Sequence, residues 1–109
     1  MLLAFSDGCC PRIDLYFQGK KAPGSFIIQA ENVNGNCHYV LEGKELDIWI
    51  CEDNWWVGKP SDKGQCKGDG YASTDSKPNV HVQDDSLQWK YVSSGNDVDF
   101  KVNCIDVCL

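Results

Sequence analysis

The chain has 109 residues, a 42% hydrophobic fraction, an 11% aromatic fraction and a formal net charge of -6. That length suits one domain with a thin core, spanning 1–109, and the apolar content excludes a disordered chain. An acidic chain repels phosphate backbones, which excludes nucleic acid and anionic membrane surfaces as natural partners, and no apolar run approaches the roughly 20 residues of a membrane-spanning helix.

Taken in chain order, the apolar start Met1–Phe5 is too short for a signal h-region and lacks a basic n-region. Short runs of β-branched and aromatic residues follow, each cut off by Gly, Pro, Asn or Asp. Asp14–Phe17, Phe26–Ile28 and His38–Leu41 read as strands, with turns at Asn34–Gly35 and Glu42–Lys44. Residues 45–58 read as a hairpin: strand Leu46–Cys51, turn Glu52–Asn54, return strand from Trp55 to Gly58. Lys59–Gly70 is a polar loop anchored by Cys66, and Ser73–Asn79 is another. Tyr71–Ala72 and Val80–Val82 are shorter strand signals.

The C-terminal region alternates strictly. Leu87, Trp89 and Tyr91, then Val98, Phe100 and Val102, are apolar with polar residues between them, and Ser93–Asn96 makes a turn. Strict alternation marks a strand with one buried face, so residues 86–103 read as a hairpin with those six side chains in the core. No stretch keeps a helical period. The expected fold is all-β: a small disulfide-stabilised antiparallel sandwich or barrel of about seven to nine short strands.

Cysteine stands at 9, 10, 37, 51, 66, 104 and 108. No C-x-x-C spacing is present, which argues against zinc, and the density points to a disulfide framework in an oxidising compartment. The expected bridges join Cys9 or Cys10 to Cys104 or Cys108, and Cys51 to Cys66. An odd count leaves one thiol free or bridged to another chain.

Catalysis finds little support. His38 and His81 sit in predicted strands, G-x-S-x-G is missing, and Gly64–Gly68 lacks P-loop spacing. Glu52–Asp53 and Asp84–Asp85 are adjacent acids of the kind that stay solvated. No cofactor is implied. Asp62, Asp69 and Asp75 lie in glycine-containing loops and are weak calcium candidates, opposed by Lys59, Lys63 and Lys67. Trp55 and Trp56 are adjacent, so on a strand they point to opposite faces. If one is exposed, Asp53, Asn54, Trp55, Trp56 and Lys59 form a patch that stacks on a sugar ring and bonds its hydroxyls. Otherwise both indoles pack, one in the core and one beneath the Lys59–Gly70 loop.

The run Tyr39–Gly43, then Leu46–Ile50, Trp55–Gly58 and Leu87–Trp89, with the Cys9-Cys10-Pro11 opening, resembles a tryptophan-containing, cysteine-rich module of secreted multidomain proteins of invertebrates and protists. The resemblance implies an extracellular module without a defined activity. Gly24-Ser25-Phe26 departs from the Gly-x-Tyr strand of that pattern. Asp84–Trp89 is also similar to one strand of cyanovirin-type lectins, but the repeated half that defines those lectins is missing. The expected function is a secreted, extracellular, non-enzymatic binding module that takes a glycan or a protein surface, carbohydrate first. The alternatives are a self-assembling structural subunit of a fibre, matrix or coat, and a small toxin or defence effector.

Overall fold

The short β-rich runs become short strands. The computed structural model describes residues 9–43, 45–77 and 80–105. The Met1–Phe5 segment, Lys44, Pro78, Asn79 and Cys108 lie outside the described residues. The strands are β1 (Arg12–Phe17), β2 (Lys20–Lys21), β3 (Phe26–Ile28), β4 (Tyr39–Leu41), β5 (Asp47–Cys51), β6 (Asn54–Gly58), β7 (Gly70–Ser73), β8 (Trp89–Tyr91) and β9 (Phe100–Ile105). All pairs are antiparallel. They form one sheet in the order β2-β1-β3-β4-β5-β6-β7-β8, with β9 on β1. The all-β, disulfide-bonded reading of the sequence therefore holds, as a single curled sheet. Among the described residues no helix is long and apolar enough to cross a membrane.

β1 organises the curl. One edge pairs with β9 along its whole length, from Arg12 opposite Ile105 to Phe17 opposite Phe100. The other edge is shared: Arg12 and Ile13 face β3, while Tyr16 and Phe17 face β2. At the far end of the sheet β8 meets the approach to β9 at one bridge, Lys90 to Asp97, with a bond from the Val98 amide to the Trp89 carbonyl of 2.9 Å. The sheet thus all but closes on itself.

Its inner face carries Ile13, Leu15, Phe26, Tyr39, Leu41, Ile48, Trp55, Ala72, Trp89 and Val102, and the core is completed by Val82 and Leu87 from the segment before β8. Alternation along each strand puts these residues on one side. The outer side is covered in places. Asp14 is buried beneath the 18–25 segment, where Ser25 Oγ donates to its carboxylate. His38 Nε2 and Asp47 Oδ2 pair at 2.8 Å, also buried. Tyr39 Oη donates to the Cys10 carbonyl at 2.8 Å.

Three disulfides hold the curl: Cys9–Cys37, Cys10–Cys104 and Cys51–Cys66. The last two agree with the expected pattern. Cys9–Cys37 had no signal in the spacing; it ties the chain before β1 to the chain before β4.

Three expectations are corrected. The hairpin over 86–103 is only begun: β8 and the approach to β9 touch at the Lys90–Asp97 bridge, and then β9 leaves for β1. The reason is local. Residues 81–87 fold into two successive turns, closed by amide bonds from Asp84 to the His81 carbonyl (3.0 Å) and from Leu87 to the Asp84 carbonyl (3.2 Å), so they cannot extend opposite β9. Val80–Val82 is accordingly no strand, although Val82 plugs the core. Tyr91, expected inside, is 41% exposed because it lies at the end of the sheet, while Leu87, Trp89 and Val102 are buried and Val98 and Phe100 half-buried.

The bridge Cys10–Cys104 closes a separation of 94 residues and Cys51–Cys66 one of 15. Loop-closure entropy assigns them about 4–5 and about 3 kcal/mol respectively. Urea unfolding of the Cys10→Ser/Cys104→Ser and Cys51→Ser/Cys66→Ser variants should show the larger loss for the first pair. Burial raises the Tyr39 pKa above its ordinary value of 10.0. A raised folded value stabilises the protein below the unfolded value and is lost as pH climbs past it. Absorbance titration near 295 nm should therefore show one of the four tyrosines ionising only as the chain unfolds.

Candidate functional site

The two adjacent indoles do divide between the faces of β6, but neither offers a ring to solvent. Trp55 joins the core, 1% exposed, and its Nε1 donates to the Val80 carbonyl at 2.9 Å. Trp56 lies on the outer face, only 9% exposed, opposite Trp49 and beside Tyr71 with ring centroids 5.4 Å apart. The cover over this outer face is the 59–69 loop. Cys66 fastens it to Cys51, and Trp49 Nε1 donates to the Gln65 carbonyl at 2.7 Å. Glycine permits the close approach: a Cβ on Gly68 would stand 2.6 Å from the Val57 carbonyl oxygen, and one on Gly58 3.1 Å from the Trp49 ring.

The remaining members of the expected patch are spread out. Asn54 is half-buried within β6. Asp53, in the turn before β6, accepts from the Thr74 amide (2.8 Å) and from Ser76 Oγ (3.0 Å), so it holds the turn after β7. Lys59 follows the other end of β6, about 17 Å of strand away. The calcium candidates do not gather either. Asp62 lies 3.5 Å from Lys67 Nζ, Asp75 sits in a turn against Ser73, and Asp69 follows the loop. Among the described residues no three His, Cys, Asp or Glu side chains come together as a metal site.

The structure opens elsewhere, on both sides of the Lys90–Asp97 bridge. The first opening is the apolar mouth of the curled sheet. On the inner face Val57, Gly70 and Tyr91 stand in one row. With Phe17, Trp89, Val98 and Phe100 they line a groove of about 150 Å³, edged by Asp69 and Lys90. Gly70 leaves the gap between Val57 and Tyr91. Phe17 and Tyr91, at 39% and 41% exposure, stand at its rim.

The second opening is the seam where the expected hairpin parts. It is a cleft of about 480 Å³ between residues 84–89 and 97–102. Asp84, Asp85, Asp97 and Asp99 line it, against Lys101 as the cation. Trp89 and Phe100 belong to both openings and meet edge to face, centroids 5.1 Å apart, as a common wall. Both acidic ends are fixed. Asp84 Oδ1 accepts from the Ser86 hydroxyl (2.7 Å) and amide (2.8 Å), which lowers the Asp84 pKa. Lys90 Nζ donates to Asp97 Oδ1 at 2.7 Å, and that bond raises the Lys90 pKa. The alternation of Asp97, Asp99 and Lys101 was visible in the sequence as a wet strand face. Nothing in it told that this face borders a cleft.

A His–Asp pair can orient a nucleophilic triad, but His38 and Asp47 are buried and line neither opening. No family model, curated protein or solved structure matches the chain.

The loop cover yields a direct test. Gly68→Ala pushes a methyl into the Val57 carbonyl, so the loop must lift. The variant should lose about 1–3 kcal/mol in urea unfolding, and its tryptophan emission should shift to the red as Trp49 meets water.

Proposed function

We propose that the protein is a secreted, non-enzymatic binding module that holds carbohydrate at the ring-lined mouth of its sheet. Three disulfides in so short a chain fit an extracellular setting. The observation that carries the reading is the pair of exposed rings, Phe17 and Tyr91, flanking an apolar groove. An aromatic face takes the C–H face of a sugar, and polar groups at the rim take its hydroxyls. Tyr91 supplies its phenol there. The groove is small beside the roughly 300 Å³ and more of a drug-sized pocket, which suits one ring or a chain end rather than a long oligomer.

Calorimetric titration with mono- and oligosaccharides tests the reading. Binding should appear at millimolar concentration or below. Tyr91→Ala should weaken it about two- to tenfold, the equivalent of about 0.5–1.5 kcal/mol for an aromatic contact. Gly70→Ala, which fills the groove without removing a ring, should weaken it as well. No sugar binding at millimolar concentration removes the proposal.

A second reading, a self-assembling structural subunit, rests on Val92. It is exposed next to Tyr91 and, with Phe17, completes a set of three exposed large apolar side chains among the described residues. Sizing chromatography and non-reducing electrophoresis separate the two. Concentration-dependent oligomers abolished by Val92→Ser would favour assembly.

A further inference from the structure

The seam between β8 and β9 is a gap in a hydrogen-bonded ladder. We infer that it receives an extended, lysine- or arginine-bearing segment of a partner protein as an added strand. This use of the seam is independent of sugar binding at the mouth.

Antiparallel ladders alternate, so every second residue of a strand turns its N–H and C=O away from its neighbour. The amide of Gln18 donates to the Asp99 carbonyl at 2.8 Å, which sets the phase of the β1–β9 ladder. With Asp99 facing β1, Phe100 and Val102 turn their backbone groups toward the seam. On the other side Val92 donates to the Asp69 carbonyl at 3.0 Å, so Trp89 and Tyr91 face away from β7. Among the described residues, Trp89 and Val98 make the last backbone bond across the seam, and Tyr91 bonds back to the turn. Beyond them the two edges diverge around the 480 Å³ cleft. An unpaired edge is a template for another strand. Beyond the Val98 bond, residues 99–102 offer roughly 13 Å of it.

Charge selects the occupant. Asp84, Asp85 and Asp99 line the opening against the single cation Lys101, and Lys90 already occupies Asp97. A strand bearing cations on alternate residues would meet carboxylates on its wet side and Trp89 and Phe100 on its dry side. A second copy is a poor fit, because the chain carries a net -6 and would bring acid onto acid.

The test uses three fluorophore-labelled, end-blocked heptapeptides: alternating Lys and Val, the same with Glu for Lys, and the Lys–Val peptide with its two inner valines replaced by proline. Proline keeps the charge and removes N–H donors. Fluorescence anisotropy with the full chain at low salt should show the first peptide binding at least tenfold more tightly than either other. Asp85→Asn/Asp99→Asn should weaken it about three- to tenfold, and added salt should weaken it further. Hydrogen exchange should slow at the amides of Phe100 and Val102 when the peptide binds. Equal binding of the proline peptide, unchanged exchange at those amides, or no binding at all overturns the inference. So does exchange protection at the seam that appears with self-association of the free protein, which would assign the seam to a second copy. None of these outcomes touches the carbohydrate titration, which reads the mouth.

Discussion

The cross-link between Cys10 and Cys104 decides where the last strand lies. It holds the end of β9 beside the start of β1, next to the pairing of Ile13 with Cys104. Once that end is fixed, the six-residue ladder with β1 follows, and the turns at 81–87 keep the chain before β8 from lying along the other edge of β9. The Lys90–Asp97 contact then closes the curl at one point only. Both openings flank that point. The cleft and groove thus follow from two constraints together, the ladder that holds β9 on β1 and the turns that withdraw residues 81–87 from its other edge.

A second constraint explains the tryptophans. A thin core cannot bury four indoles on one side of a sheet, so the protein uses two layers. Trp55 and Trp89 enter the curl. Trp49 and Trp56 sit outside it, Trp56 beside Tyr71 and Trp49 beneath a polar loop that has little apolar surface of its own. Such a loop stays down by other means: the Cys51–Cys66 bond, the Trp49–Gln65 hydrogen bond, and two glycines that let backbone touch backbone. The asymmetry of function follows. The outer face is spent on shielding its rings, and among the described residues the exposed rings, Phe17 and Tyr91, belong to the mouth.

Much of this was legible because local chemistry decides it. The hairpin over 45–58 was readable since Asp47–Cys51 and Asn54–Gly58 pair around a two-residue turn, with Glu52 at a positive φ of 55°. Asn34–Gly35 was readable because both residues take positive φ, 54° and 78°, as a tight hairpin turn demands. The Gln18–Gly19 turn has the same geometry at 52° and 80°, but glutamine lacks the left-handed preference of asparagine, and β2 went unread with it. The partner of β9 was not legible at all. Alternation tells that a strand has two faces, not which strand lies beside it. The candidate patch failed for a related reason: adjacency puts Trp55 and Trp56 on opposite faces, but whether the second face is wet depends on a loop that returns from residues 59–69.

The turns at 81–87 connect these points. They deliver Val82 and Leu87 to the core, which stabilises the curl, and they withdraw the segment that would have sealed it. Asp84 locks the second turn by capping Ser86 with its carboxylate. That bond favours the ionised acid, as the lowered Asp84 pKa records, so the turn is held most firmly when the seam is most acidic. The charge that makes the cleft attractive to a cation is therefore the charge that keeps it open. Recognition and architecture share the same carboxylate, and an uncharged residue there would loosen the turn while leaving Asp85 and Asp99 to attract a basic partner with less charge.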